Sequence, residues 1–183
     1  LMESILEKTK FLAEKEIRKR TKKISKKELE KRALRVAIAA IFYGDLKNNR
    51  KKDAVFEIKK FVSFEGDTGP YLMYSYARAS SILRKSSASL KKFEVNELEE
   101  KETELVKKLS QFPETVLNAY RNLNPSVIAN YSYQLAQVFN EFYHVCKVIG
   151  SEQETFRLAL VESFRQVLKN SLELLGIDTI EEM

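Results

Sequence analysis

Tryptophan is absent from this chain of 183 residues, and cysteine and histidine occur once each, at Cys146 and His144. A single cysteine excludes an intramolecular disulfide and is typical of a reducing compartment. A single histidine excludes the usual zinc site with several histidine or cysteine ligands. The sequence also gives no evidence for a Ser-His-Asp catalytic triad. No apolar run approaches the roughly 20 residues that cross a bilayer, and no signal peptide is visible. The sequence therefore predicts a soluble, cytoplasmic protein with no membrane partner and no metal site.

Glycine and proline are also scarce, with five and three residues. Few turn formers, together with many Lys, Glu, Leu and Ala residues, predict an all-α chain. Hydrophobic residues make up 44% of the sequence, enough for one sizeable core with or without an appended arm. We predict an antiparallel helical bundle over residues 61–183, preceded by a basic helical arm over residues 1–60.

Capping residues and apolar spacing give the expected helix boundaries and buried faces. Helix starts are expected at Ser25, Asn96, Pro113, Asn124 and Ser151, the first, second and fifth of them as capping boxes with Glu28, Glu99 and Glu154. Gly176 is the expected end of the last long helix. The inward side chains are expected to include Leu98, Val106, Leu117, Tyr120, Leu135, Phe142, Val145, Leu158, Val161, Phe164 and Leu168. The acidic run at residues 97–104 is expected to face outward.

Charge is distributed unevenly along the chain. Residues 1–60 hold 19 Lys/Arg against 9 Asp/Glu, whereas the remaining residues are slightly acidic, within a net charge of +6. A basic first third would attract polyanions at long range. The same composition is also typical of a solvated, lysine-rich helix face. The charge pattern alone leaves both interpretations open.

The segment SFEGDTGPYLMYSYARASSILRK, residues 63–85, combines a tight loop with a helix start. The hydroxyl of Thr68 can cap this helix, and Pro70 fits its first turn. Tyr74 and Arg78 then lie about one turn apart. Tyrosine beside arginine can stack on bases and pair with phosphates, and the alternative is an ordinary core helix with buried tyrosines.

This segment resembles the part of class I arginyl-tRNA synthetases that leads from the catalytic core into the anticodon-binding helical bundle. The end of the chain resembles the last helices of that family at residues 129–131, 135–137, 142–143, 157–160, 165–168, 174–176 and 183. Both matches occur in order, and the resemblance covers nearly everything from Leu34 onward. Met73 and Tyr76 depart from the family, which usually has glutamine and histidine at these positions.

The resemblance implies that the chain is the C-terminal segment of an arginine–tRNA ligase, in which residues 1–60 connect the catalytic core to the bundle. Its implied function is anticodon recognition that positions tRNA for arginine, while the core performs ATP-dependent arginylation. The family's first ATP-binding motif is missing, and the look-alike of the second at residues 23–26 is interpreted as a helix start capped by Ser25. We therefore expect this segment to be inactive alone and to need no cofactor, with ATP and magnesium belonging to the parent enzyme. A chain that begins with Leu1 rather than methionine agrees with such a fragment.

The resemblance also implies which side chains contact the tRNA for arginine. The expected tRNA-binding residues are Tyr74, Arg78, Arg84, Asn130, Gln134, Tyr143 and Met183. The terminal carboxylate of Met183 could accept a hydrogen bond from a base amino group such as that of cytosine. Asn130 and Gln134 are included because their amides lie on the same helix as Tyr143.

Two other functions remain open from the sequence. The chain could be a free-standing helical module that binds protein, with its tyrosines in the core. It could also serve mainly as a scaffold, with the catalytic core covering the apolar helix at residues 34–43. In an isolated segment, part of that apolar face would then be bare.

Overall fold

The computed structural model describes residues 2–21, 23–51, 57–86, 95 and 97–182. These residues form helices and no strand, so the prediction of an all-α fold is confirmed for the described part of the chain. The helices are α1 Met2–Arg20, α2 Lys26–Leu46, α3 Ile58–Phe61, α4 Gly69–Lys85, α5 Glu100–Ser110, α6 Phe112–Arg121, α7 Ser126–Val145 and α8 Glu154–Leu174. Asn96 and Met183 lie outside the described residues.

Three helix ends form where the sequence predicts them. Ser25 Oγ accepts a 3.3 Å hydrogen bond from the backbone N–H of Glu28 at the start of α2. Thr68 caps α4 in the same way by accepting from the N–H of Tyr71 at 3.2 Å. Gly176, with φ of 71°, follows α8 in the left-handed conformation that glycine adopts without strain.

Two other predicted helix starts are wrong. The N-cap of α5 is Glu99, which forms a reciprocal capping box with Glu102, so this helix begins later than expected. The predicted box between Ser151 and Glu154 does not form, because the Ser151 hydroxyl donates to a backbone carbonyl three residues before it. The carboxylate of Glu154 instead accepts from the backbone N–H of Gly150 at 2.7 Å.

The helices share one continuous hydrophobic core. α1 packs against α2, α2 packs against α4, and both α4 and α7 pack against α8. At the centre, the rings of Phe139 and Phe164 stack with their centroids 3.7 Å apart. Leu135, Phe142 and Leu168 are fully buried around them, as predicted. Helices α4 to α8 therefore form the bundle, and α1 and α2 form the arm that precedes it.

The arm joins the bundle at a very close contact between α2 and α4. A Cβ atom on Gly69 would lie 2.2 Å from the carbonyl oxygen of Ala39, so glycine is required for the two backbones to approach this closely. Beside this contact, the hydroxyl of Tyr43 donates a 2.5 Å hydrogen bond to Asp67. The ammonium group of Lys47 lies 3.0 Å from the same carboxylate. Close backbone packing and polar side-chain contacts thus join the arm to the bundle. The predicted domain boundary at residue 60 stays a prediction.

Five side chains predicted to face the core are exposed instead. Leu98, Val106, Leu117, Tyr120 and Val145 have 39%, 37%, 45%, 77% and 65% of their surface exposed. On the ten-residue helix α6, Ala119 is the buried residue, because this helix packs mainly against one neighbour, α7. An amphipathic pattern identifies an apolar face but does not say how much of that face a neighbour covers.

Candidate nucleic-acid interface

The guanidinium group of Arg78 lies between two tyrosine rings that come from different helices. Its Cζ atom is 4.8 Å from the ring centroid of Tyr74 on α4 and 5.5 Å from that of Tyr143 on α7. Arg78 also donates to the side-chain oxygen of Asn140 and, at 3.3 Å, to the hydroxyl of Tyr74. Tyr143 is 40% exposed, so part of this residue is accessible to a ligand. The structure therefore assembles an aromatic and guanidinium surface from α4 and α7.

This surface forms part of a cleft of about 730 Å³. The lining residues are Thr21, Arg32, Tyr74, Ala77, Arg78, Ser81, Ile82, Arg84, Lys85, Tyr143, His144, Cys146, Lys147, Val148, Ile149 and Glu182. Among these residues are five lysines and arginines and a single carboxylate, that of Glu182. The cleft is therefore strongly basic, as a polyanion site requires. Its walls include Thr21 and Arg32, so the arm contributes to the same cleft as the bundle.

A second cavity of about 370 Å³ adjoins the cleft and shares Tyr74, Arg78 and His144 with it. Its lining includes Arg20, whose guanidinium carbon lies 4.5 Å from the centroid of the Phe64 ring. The basic and aromatic character of the cleft thus continues along the molecule from the end of α7 to the turn after α1.

Asn140 connects the two helices that carry the aromatic and guanidinium surface. The sequence analysis did not identify this residue. Its side-chain amide donates to the hydroxyl of Tyr71 at 2.8 Å and to the hydroxyl of Ser75 at 3.2 Å, while its oxygen accepts from Arg78. These contacts bridge α7 to α4. Asn140 lies three residues before Tyr143 and hence on the same side of α7, which is the one sequence signal that could have identified it.

Arg84 lies at the other end of the cleft and contacts the end of the chain. It donates to the backbone carbonyl of Glu181 at 3.1 Å, and its guanidinium group is 3.6 Å from the carboxylate of Glu182. Met183 lies outside the described residues, but its neighbour Glu182 lines the cleft. The structure therefore brings Tyr74, Arg78, Arg84 and the last described residue to one site.

Asn130 and Gln134 lie elsewhere. They precede Tyr143 by thirteen and nine residues on α7, which corresponds to about 20 Å and 14 Å along the helix axis. The amide of Asn130 donates to the Ser126 carbonyl at 2.7 Å. The side-chain oxygen of Gln134 accepts from Lys108 at 2.6 Å. Neither residue lines the cleft, so any contact of theirs with RNA would be separate from the tyrosine–arginine surface.

Cys146 lies in the wall of the cleft as a neutral thiol. Burial, together with its hydrogen bond to Glu99, raises the pKa of the Cys146 thiol to about 11. Its Sγ atom is 3.5 Å from the carboxylate of Glu99. At neutral pH it therefore adds no negative charge to the basic cleft.

The two departures from the resembled family are both buried in α4. Met73 has no exposed surface and packs in the core. Tyr76 is also buried, and its hydroxyl donates a 2.9 Å hydrogen bond to the carboxylate of Glu181. Tyr76 thus contacts the C-terminal residues rather than the open cleft.

Within the described ranges, no helix is both long enough and apolar enough to cross a membrane. Among the same residues, no group of three or more His, Cys, Asp or Glu side chains is arranged to hold a metal ion.

The fold is that of an anticodon-binding helical domain. The family model described as the DALR anticodon binding domain matches residues 72–183, and the chain belongs to this family. The resemblance inferred from the sequence is confirmed, and the match favours the anticodon-binding function over a free-standing protein-interaction module.

Curated relatives with similar sequences are arginine–tRNA ligases. The chain is 43% identical over 155 residues to the ligase of Clostridium botulinum strain 657, covering 82% of this chain and 28% of that ligase. It is 44% identical over 153 residues to the ligase of Clostridium acetobutylicum, covering 81% of this chain and 27% of that ligase. The chain therefore spans less than a third of the length of these relatives.

Solved structures of similar fold are arginyl-tRNA synthetases. The enzyme from Thermus thermophilus superimposes with a TM-score of 0.89 at 32% identity, over 99% of this chain and 32% of that chain. The enzyme from Plasmodium falciparum superimposes with a TM-score of 0.90 at 28% identity, over 98% of this chain and 33% of that chain. The similarity includes nearly the whole of the arm and the bundle.

Proposed function

We propose that this chain recognises the anticodon loop of a tRNA for arginine, as the C-terminal part of an arginine–tRNA ligase. The observation that carries this proposal is the Arg78 guanidinium group held between the rings of Tyr74 and Tyr143 in a basic cleft. The family match and the ligase names of the relatives support the same function.

The chemistry of the cleft suits an unpaired loop. Single-stranded bases are bound by stacking on aromatic rings and by hydrogen bonds to their exposed edges. The half-exposed ring of Tyr143 offers a stacking surface, and Arg78 strengthens it through its positive charge. Lys85 and Lys147 are exposed at the cleft, where they can contact the phosphates on either side of a bound base.

The catalytic steps belong to the rest of the ligase in this proposal. ATP and magnesium would bind to the catalytic core, and this segment would position the tRNA without a cofactor of its own. The core would be the intramolecular partner of the chain, and the enzyme would work in the cytoplasm, where tRNA is used for protein synthesis.

A binding titration tests the proposal. Tyr143→Ala should weaken affinity for the arginine tRNA by roughly 1–3 kcal/mol, the range for loss of one base stack. Tyr120→Ala is the matched control, because Tyr120 is 77% exposed on α6 and lies outside the lining of the cleft. The unsubstituted chain should also prefer the natural anticodon to an altered one, and Tyr143→Ala should reduce that preference. Equal affinities of Tyr143→Ala and Tyr120→Ala, with helical circular dichroism unchanged, would refute the assignment.

A further inference from the structure

The last residues of the chain fold back onto the bundle. Ile177 and Ile180 are buried in the hydrophobic core, so they anchor the segment after α8 by apolar contact. Among the described residues, Ile180 is the last that is anchored in this way. Glu181 follows it directly, at the point where the chain leaves the core.

Three side chains from two helices converge on Glu181. From α4, the Tyr76 hydroxyl donates to Oε1 at 2.9 Å, and Arg84 donates to the Glu181 backbone carbonyl at 3.1 Å. From α8, the guanidinium group of Arg165 lies 3.7 Å from Oε1. Burial alone would raise the pKa of Glu181, but the hydroxyl groups of Ser80 and Tyr76 and the nearby guanidinium groups hold this pKa below its ordinary value. The carboxylate is therefore charged at neutral pH.

The next residue enters the cleft. Glu182 is the one carboxylate among the residues that line it, and it lies 3.4 Å from Arg32 and 3.6 Å from Arg84. The contacts of Glu181 thus lie immediately before the residue that enters the proposed anticodon site.

We infer that Glu181 is a positioning residue for RNA recognition: with Tyr76 and Arg84 it holds the chain end at the wall of the cleft before RNA arrives. This inference rests on the proposed function and adds a residue that lies beside the binding surface rather than on it. Its effect is entropic, because a segment that is already ordered loses less conformational freedom when a ligand binds against it.

Tyr76 offers a clean way to remove one of these contacts. Its ring is buried, so Tyr76→Phe deletes the hydroxyl and keeps the packing. We expect Tyr76→Phe to weaken affinity for the arginine tRNA about two- to tenfold, the cost of ordering one or two side chains on binding. Glu181→Gln should weaken it to a similar extent, because it removes the charge that Arg84 and Arg165 face. Glu173→Gln is the matched control, since Glu173 is exposed on α8 and pairs with Lys169 at 3.7 Å.

A readout that reports the chain end directly separates positioning from general stability. Carboxypeptidase should release the terminal residues faster from Tyr76→Phe and Glu181→Gln than from Glu173→Gln or the unsubstituted chain. The decisive comparison uses a chain that lacks residues 181–183. In this shortened chain, Tyr76→Phe should not weaken affinity for the arginine tRNA any further, because the residues that the Tyr76 hydroxyl positions have been removed.

Two results overturn the inference. One is an unchanged affinity of Tyr76→Phe and Glu181→Gln while Tyr143→Ala still weakens binding, which leaves the proposed function intact. The other is an equal loss on Tyr76→Phe with and without residues 181–183, which shows that the hydroxyl acts through the fold. If Tyr143→Ala has no effect either, the proposed function fails and this inference fails with it.

Discussion

The guanidinium group of Arg157 on α8 donates a 2.8 Å hydrogen bond to the carboxylate of Glu102, a residue of α5 with no exposed surface. The same guanidinium group donates to Glu99 and, at 2.8 Å, to the backbone carbonyl of Lys147. One side chain thus connects α5, α8 and the segment after α7 that supplies Lys147 to the cleft. Burial opposes the charge of Arg157, but its two carboxylate partners raise the pKa of Arg157 above its ordinary value.

Removal of the buried carboxylate should destabilise the bundle strongly. Glu102→Ala leaves Arg157 in the protein interior without its fully buried carboxylate partner. The loss of one member of a buried pair costs about 3–5 kcal/mol. Glu102→Gln keeps an oxygen acceptor and should cost less. Urea denaturation measures the free energy of unfolding. Glu104→Ala, on the same helix but partly exposed beside Lys101, should cost about 1 kcal/mol or less. Equal losses at positions 102 and 104 would contradict this account.

Gly69→Ala should separate the arm from the bundle. Helix propensity alone would favour alanine by up to about 1 kcal/mol. The added Cβ atom, however, would meet the Ala39 carbonyl oxygen at 2.2 Å, and overpacking of this kind costs about 1–3 kcal/mol. We therefore expect a net loss of stability in thermal unfolding. Gly66→Asn is the control, because a Cβ at Gly66 meets nothing within 4 Å and asparagine tolerates its φ of 76°. A neutral or stabilising Gly69→Ala would show that the two helices are not in contact here.

Salt should weaken RNA binding, and the cleft lysines should account for part of that dependence. If Lys147 contacts a phosphate, Lys147→Gln should reduce the slope of log affinity against log salt concentration by about 0.7–0.9. Lys169→Gln, on α8 and outside the lining of the cleft, should leave the slope unchanged. The loss should be similar for natural and altered anticodons, because phosphates carry no sequence information. If the affinity for tRNA does not change with salt concentration, phosphate contacts do not contribute to binding and this part of the proposed function is refuted.

The Cys146 thiol should react slowly in the native protein. Because burial and the Glu99 hydrogen bond raise the pKa of Cys146 to about 11, few molecules carry the reactive thiolate at pH 8. The alkylation rate with iodoacetamide should keep rising with pH to about 11 in the native chain and level off earlier in urea. The pKa of Cys146 is higher in the folded chain than in the unfolded chain, so the protonated thiol stabilises the fold. This contribution to the free energy of unfolding is fully present below the pKa of the unfolded chain, and it is lost as the pH rises through the pKa of the folded chain. If the alkylation rate of the native chain levels off at the same pH as that of the unfolded chain, the raised pKa of Cys146 is contradicted.

Local sequence patterns predicted the parts of the site that lie within one helix. The sequence predicted that Thr68 caps α4 and that Tyr74 and Arg78 lie one turn apart on it. The structure shows the cap and places the Arg78 guanidinium group over the Tyr74 ring. Tyr143 is 65 residues further along the chain than Arg78 and was identified through the family resemblance. Asn140 and Glu181 were missed, because their importance depends on partners in distant helices that no spacing rule connects to them.

The errors have a common physical cause. Glu102 belongs to an acidic run that was assigned to solvent, but the arginine that neutralises it lies 55 residues later. Tyr120 and Leu117 form a regular apolar pattern, yet the neighbouring helices do not cover them. Periodicity describes a single helix, whereas burial depends on how several helices meet.

The fixed position of Arg78 between its two tyrosines has a kinetic consequence. Its guanidinium group is already oriented by Asn140 and by both rings, so little side-chain rearrangement has to precede contact. In the proposed complex, a correct and an incorrect loop would then arrive at similar rates, steered by charge alone. Discrimination between them would reside in the lifetime of the complex, with the wrong loop dissociating sooner.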